Sequence, residues 1–236
     1  MLRIIFFLLI SSFPFLGLSQ GLTGNQLLQN AIAYHDPNNN WPTFNGEFMV
    51  TMETPKKGER KSKVKINLPE QLFSLTVNQE AISLEYILKG HDCKLRLNGN
   101  AEFSEAQQKT FNLNCERAVM MKNYYTYLYG LPMKLKDPGT IIDPEVKRRK
   151  FKNKEYLVLK VTYTEDVGGD TWYFYFDPIT YAMEVYQFYH DESKNDGEYI
   201  LLTGEETIQN IKMPKTRAWF YNEDNTYLGT DVLSKN

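Results

Sequence analysis

The chain has 236 residues, 42% of them hydrophobic and 14% aromatic, and its 27 Lys and Arg against 29 Asp and Glu leave a net charge of −2. That interspersed balance excludes the basic field by which proteins grip nucleic acid. The length and apolar content suit one domain with a sizeable core. Sixteen Tyr and fourteen Phe favour sheet over a helix bundle.

Met1–Ser19 reads as a targeting segment and leaves the fold argument. Arg3 supplies its charge, and Ile4–Ile10 is the heart of an apolar run too short to span a bilayer. Small residues in Gly17-Leu18-Ser19 predict cleavage before Gln20, give or take one residue. No Cys sits at the junction, which argues against a lipid anchor, and no later apolar run is long enough for a membrane helix. The expectation is an exported protein, periplasmic or secreted, whose fold is one β-rich domain over residues 20–236.

Thr23-Gly24-Asn25-Gln26 matches a capping box and predicts a helix to about Tyr34. Its apolar face would carry Leu28, Ala31, Ile32 and His35. His35 reads as a helix-end residue near the C-terminal dipole, with a ligand or base as the rarer alternative. Asp36–Pro42 breaks the helix.

Strands then follow in close order. They are Phe44–Glu53, Lys61–Leu68, Leu72–Val77, Ala81–Leu88 and Asp92–Leu97, joined by turns at Pro55–Glu59, Lys89-Gly90 and Asn98–Asn100. Each alternates with period two, as in Val64, Ile66 and Leu68 against Lys63, Lys65 and Asn67. Short strands at this spacing predict a meander curled into a barrel or half-barrel, a mainly β (α+β) fold. Ser104–Tyr129 is helical in two pieces, the first capped by Ser104. The second, about Asn114–Tyr129, carries Val119, Met120, Tyr124, Tyr127 and Leu128, and stops at Gly130 and Pro132. Such a helix packs a core or serves as a lid over a ligand. Asp137-Pro138-Gly139 and Pro144 mark a loop. The basic run Lys147–Lys154 reads as a solvated strand edge or hairpin, with anionic headgroups or a partner as the alternative.

Glu155–Tyr189 organises the chain as three strands, Tyr156–Tyr163, Thr171–Phe176 and Ala182–Tyr189, joined by turns at Glu165–Asp170 and Asp177–Thr180. Thr171–Phe176 is aromatic on both faces: Trp172, Phe174 and Phe176 point one way, Tyr173 and Tyr175 the other. It therefore needs cover on both, from a helix or from an apolar ligand. A polar hairpin tip, His190–Glu198, leads to Tyr199–Thr203, Glu206–Lys212, Thr216–Tyr221, a turn at Asn222–Asn225, and Thr226–Leu233.

Cys93 and Cys115 are an even count in an exported chain and read as a disulfide tying a strand to the following helix. The alternative is two buried thiols too far apart to bridge. His91-x-Cys93 is a two-ligand fragment, and no H-E-x-x-H, nucleophile elbow or P-loop occurs. Glu165, Asp166 and Asp170 offer a weak calcium site or a solvated acidic turn. No cofactor is called for.

The segments Tyr125–Thr140, Val167–Pro178 and Met213–Leu233 resemble an uncharacterised family of exported bacterial proteins, a likeness covering nearly the whole mature chain. The order of elements resembles the periplasmic lipoprotein carriers (LolA/LolB-like). That resemblance implies an open half-barrel with an N-terminal helix and a helical insert over its concave side, which takes acyl chains. No carrier residue transfers position by position. The expected function is a non-catalytic protein binding or carrying a hydrophobic small molecule or lipid. The candidate lining is Phe73, Leu75, Leu84, Tyr86, Leu159, Val161, Trp172, Phe174 and Trp219. The rivals are an envelope interaction module without a cavity, and a hydrolase whose carboxylates meet only in three dimensions.

Overall fold

The computed structural model describes residues 21–235, so the targeting segment expected at Met1–Ser19 lies outside the described residues. Five strands open the sheet: β1 (Asn45–Thr54), β2 (Lys57–Asn67), β3 (Leu72–Gln79), β4 (Ile82–Lys89) and β5 (Asp92–Leu97). Eight complete it: β6 (Thr140–Ile142), β7 (Lys147–Phe151), β8 (Lys154–Tyr163), β9 (Thr171–Phe176), β10 (Met183–Tyr189), β11 (Glu198–Ile208), β12 (Ile211–Tyr221) and β13 (Tyr227–Lys235). The helices are α1 (Gly24–His35), α2 (Glu105–Phe111) and α3 (Cys115–Gly130).

All thirteen strands form one antiparallel sheet in the order β5-β4-β3-β2-β1-β13-β12-β11-β10-β9-β8-β6, with β7 also on β8. The two ends of the meander meet in its middle, where Val50 of β1 lies opposite Leu233 of β13. The sheet curls without closing. One edge is the six-residue β5, with Lys94 and Arg96 exposed. The other edge is shared by β6 and β7, which flank Asp143-Pro144 along the same side of β8.

Local chemistry sets these elements. Thr23 and Gln26 form the expected capping box, the Gln26 N–H donating to Thr23 Oγ1 at 3.3 Å and the Thr23 N–H to Gln26 Oε1 at 2.9 Å. Ser104 and Gln107 repeat it at α2. Asn114 caps α3 by accepting the Arg117 N–H at 2.7 Å. The break after α1 is tied down by buried Asp36, which accepts the backbone N–H of Asn40 and Trp41 at 2.7 and 2.8 Å.

The main core fills the concave side. Leu157, Leu159, Val161, Phe174, Phe176 and Tyr186 of the central meander join Phe48, Val50, Phe73 and Leu75 there, under α1 and α3. The convex side carries a second cluster of Tyr156, Val158, Tyr173, Tyr175 and Val185. Both faces of β9 are covered as the alternation predicts, the concave one by helix.

Three details differ from the sequence reading. The stretch read as a strand at Glu206–Lys212 holds the β11–β12 turn, at Gln209 and Asn210, whose φ values are 49° and 63°. Apolar period two runs through Ile208 and Ile211 on either side, and this masks the turn. The loop expected before Pro144 contains β6, three residues long and too short for any period to register. Finally, the residues noted on α3 divide. Leu128 is buried with Ala118, Met121, Tyr125 and Tyr129, and Tyr124 and Tyr127 pack against the core, while Val119 and Met120 are 46% and 45% exposed. Apolar residues lie all round this helix, so its period does not choose a face.

Candidate functional site

α3 lies across the open side of the half-barrel. At its start the sulfurs of Cys93 on β5 and Cys115 lie 2.03 Å apart, at disulfide distance. Midway, Tyr125 packs on Phe73 and Tyr129 on Phe48, with ring centroids 6.4 and 4.8 Å apart. On the far side the Tyr127 ring sits 5.6 Å from Trp172 and its hydroxyl pairs with that of Tyr163 on β8. The helix thus braces one sheet edge against the other.

All nine residues expected to line a ligand belong to this concave-side core. Phe73, Leu75, Tyr86, Leu159, Val161 and Phe174 are packed and buried, whereas Leu84, Trp172 and Trp219 are half-buried against them. A cleft of about 580 Å³ runs between α3 and the β6–β8 edge, lined by Leu68, Thr126, Tyr127, Tyr163, Val167 and Trp172, with Lys122, Lys134, Asp137 and Asp170 also on its walls. Leu84 lines a separate shallow cleft beside Phe111.

Beneath α3 the apolar wall is interrupted by charge. Register places Arg60 opposite Met52, Met52 opposite Asp231, and Asp231 opposite Arg217, one row across β2, β1, β13 and β12. Arg217 is 1% and Asp231 3% exposed. Arg217 donates to the carbonyls of Pro214 and Leu128 at 2.9 and 3.4 Å, and its guanidinium stacks 4.0 Å from the Tyr129 ring centroid. Asp231 accepts the Trp219 indole N–H at 3.2 Å. Around this row seven buried polar atoms have no hydrogen-bond partner: Arg60 Nε, Ser62 Oγ, Arg217 Nε, Asp231 Oδ1 and the hydroxyls of Tyr125, Tyr129 and Tyr186. The Tyr125 hydroxyl faces Ser62 and that of Tyr186 faces Arg217, but neither pair reaches hydrogen-bond geometry. Burial pushes the Tyr129 hydroxyl well above the usual tyrosine range and raises the Asp231 carboxyl, against the pull of Arg217 and Arg60.

The sequence reading missed this row. Strand parity carries the signal: Arg217 shares a face with Trp219, and Asp231 with Leu233, so each charge falls on an apolar side.

The other candidates resolve individually. His35 is the last residue of α1, as expected, and is buried. Its Nδ1–H donates to the Lys212 carbonyl at 2.7 Å and its Nε2 accepts the Met183 N–H at 3.0 Å, so neither nitrogen is free for a ligand. His91 is exposed, and no cluster of three His, Cys, Asp or Glu side chains able to hold a metal occurs among the described residues. Asp170 of the acidic turn pairs with His190 at 2.7 Å. The basic run is largely engaged: Arg148 with Glu155, Lys154 with Asp177 and Glu184, and Arg149 over the Tyr173 ring. Among the described residues no helix is long and apolar enough to cross a membrane.

The fold has solved counterparts. The chain is similar to a LolA superfamily protein from Nitrosomonas europaea at 11% identity and a TM-score of 0.53, over 91% of this chain and 93% of that one. It is similar to a putative outer membrane lipoprotein-sorting protein domain from Vibrio parahaemolyticus at 11% identity and a TM-score of 0.52, over 90% of each. At such identity the likeness shows the fold, a LolA-like open half-barrel. No curated protein matches the sequence. The model of a family of unknown function, DUF6503, matches residues 3–236, and the chain belongs to that family.

Proposed function

We propose that this chain is an exported, non-catalytic carrier that binds a lipid or acyl chain against the concave face of its half-barrel. One LolA-like domain would follow a cleaved leader. The observation that carries the reading is the arrangement of α3: a helix laid across the apolar concave side of an unclosed sheet, with a cleft of about 580 Å³ along its flank that Tyr127, Tyr163 and Trp172 line. An apolar concavity with a few polar groups at its mouth is the usual form of a hydrophobic-ligand site. Trp172 lines that cleft and stacks on Phe188 with centroids 4.8 Å apart, so a chain entering beside α3 would meet an indole wall.

Native mass spectrometry of the mature protein, purified gently from its host envelope and followed by solvent extraction, tests this. A stoichiometric lipid, lost in a folded Trp172→Glu variant, is the expected result. A bare protein that also takes up no fluorescent acyl probe would refute it. The packing of six of the nine lining residues in a closed core favours a second reading, an envelope interaction module. A protein partner recovered with the bare chain would support that one.

A further inference from the structure

We propose that the buried row beneath α3 is a receptor for a carboxylate, so that the cargo is an acyl-chain acid whose headgroup is held between Arg60 and Arg217. The inference rests on the carrier reading and names the chemistry of its ligand.

Folded proteins pair almost all their buried polar atoms, and each exception calls for a reason. Here the seven exceptions share one place. Two are guanidinium Nε–H groups, which only donate, and four are the hydroxyls of Ser62, Tyr125, Tyr129 and Tyr186, which can donate or accept. The one fixed acceptor among them is Asp231 Oδ1. An ionised carboxylate only accepts, at about four lone-pair sites, so it can take the fixed Nε–H donors and any hydroxyl turned toward it. Charge points the same way. With Asp231 ionised, Arg60 and Arg217 leave the row one net positive charge, which one carboxylate neutralises. A buried guanidinium is costly unless paired, and its planar fork matches a carboxylate.

The Arg60 end of the row borders solvent. Arg60 is half-buried and lines a rim cleft of about 740 Å³ together with Met52, Lys56, Lys57, Tyr221 and Tyr227. Lys56 and Lys57 would draw an anion to the mouth, and Met52 and the two tyrosines offer apolar surface to its chain.

The test is calorimetric titration of the mature chain with oleate and, separately, oleyl alcohol, each below its aggregation threshold. The variants are Arg60→Gln and the double variant Tyr129→Phe/Tyr186→Phe. The phenylalanines remove one oxygen each and keep the rings, so folding is preserved, and an unchanged melting temperature verifies this. The expected result is oleate bound at least about tenfold more tightly than the alcohol, with the preference reduced in both variants. Equal binding of acid and alcohol would overturn the headgroup site and leave the carrier reading standing. A preference unchanged in both variants would place the headgroup elsewhere and also overturn it. Binding of neither compound would count against both readings.

Discussion

Two clusters of tyrosine occupy opposite faces of the same sheet, and they are finished differently. On the convex face three hydroxyls have partners. Tyr175 donates to Gln187 at 2.7 Å, Tyr199 to Asn225 at 2.9 Å, and Tyr173 to Glu192. Gln187 passes the chain on to Asn222 at 2.8 Å. On the concave face Tyr125, Tyr129 and Tyr186 are buried as deeply, yet their hydroxyls have no partner. These three convex hydroxyls are satisfied as folded, whereas the three concave ones keep unused bonding capacity. Burial alone does not tell the two groups apart; hydrogen-bond satisfaction does.

The largest expected effect tests how solid the concave side is. Phe174→Ala, at a fully buried position, should cost about 3–5 kcal/mol in denaturant unfolding. A loss below about 1 kcal/mol would mean that the concave wall is loosely packed and the contrast between the faces is one of density. Next is the tether of α3. Removing Cys93 and Cys115 opens a loop of 22 residues and should cost roughly 3 kcal/mol in the chain-entropy model. Hydrogen exchange should then rise in α3 more than in β8–β10. Unchanged protection would show that packing alone holds the helix.

The comparison itself is tested by two matched deletions of one oxygen. Tyr175→Phe leaves the Gln187 carbonyl without its donor and should cost about 1 kcal/mol. Tyr129→Phe removes an unpartnered hydroxyl and should fall within about 0.5 kcal/mol of the parent. Equal costs would erase the distinction. The smallest effect is in pH. Burial lowers the His35 pKa below its ordinary 6.5, so the unfolded chain takes up the proton first as the solution is acidified. Its contribution is complete above pH 6.5 and is lost as pH falls through that value toward the folded pKa. His190 works in reverse: its hydrogen bond to Asp170 raises its pKa, and its contribution is present in acid and lost as pH rises through the folded value. Its side chain is exposed, so solvent screening keeps that opposing slope shallow. A His35→Gln variant should therefore lose most of the acid-side slope. An unchanged slope would assign it to other groups.

Much of this was legible in the chain. The two-faced β9, the capping boxes, the Cys93–Cys115 pair and the order of hairpins all follow from local pattern, because period and cap chemistry act over a few residues. What escaped needed neighbours. The inward face of α3 is chosen by Phe48 and Phe73 beneath it, not by its own composition. The turn at Gln209-Asn210 sits inside an apolar alternation that continues on both sides. Arg217 and Asp231 lie 14 positions apart in sequence, and only the pairing of β12 with β13 brings them into one row. All nine candidate lining residues reach the concave side. Six are core there, since parity tells which side a residue faces and not how tightly that side is packed.

An open sheet leaves two rows of backbone donors and acceptors that another chain could copy, the usual seed of edge-to-edge aggregation. Here neither row invites it. One edge is broken into β6 and β7 with Pro144 between them, and Lys147, Arg148 and Lys150 stand exposed along it. The other is six residues long and displays Lys94 and Arg96. Charged side chains at both margins, several of them already in ion pairs, would have to give up water and partners where two strands meet. The half-barrel can therefore stay open without becoming a template for its own polymer.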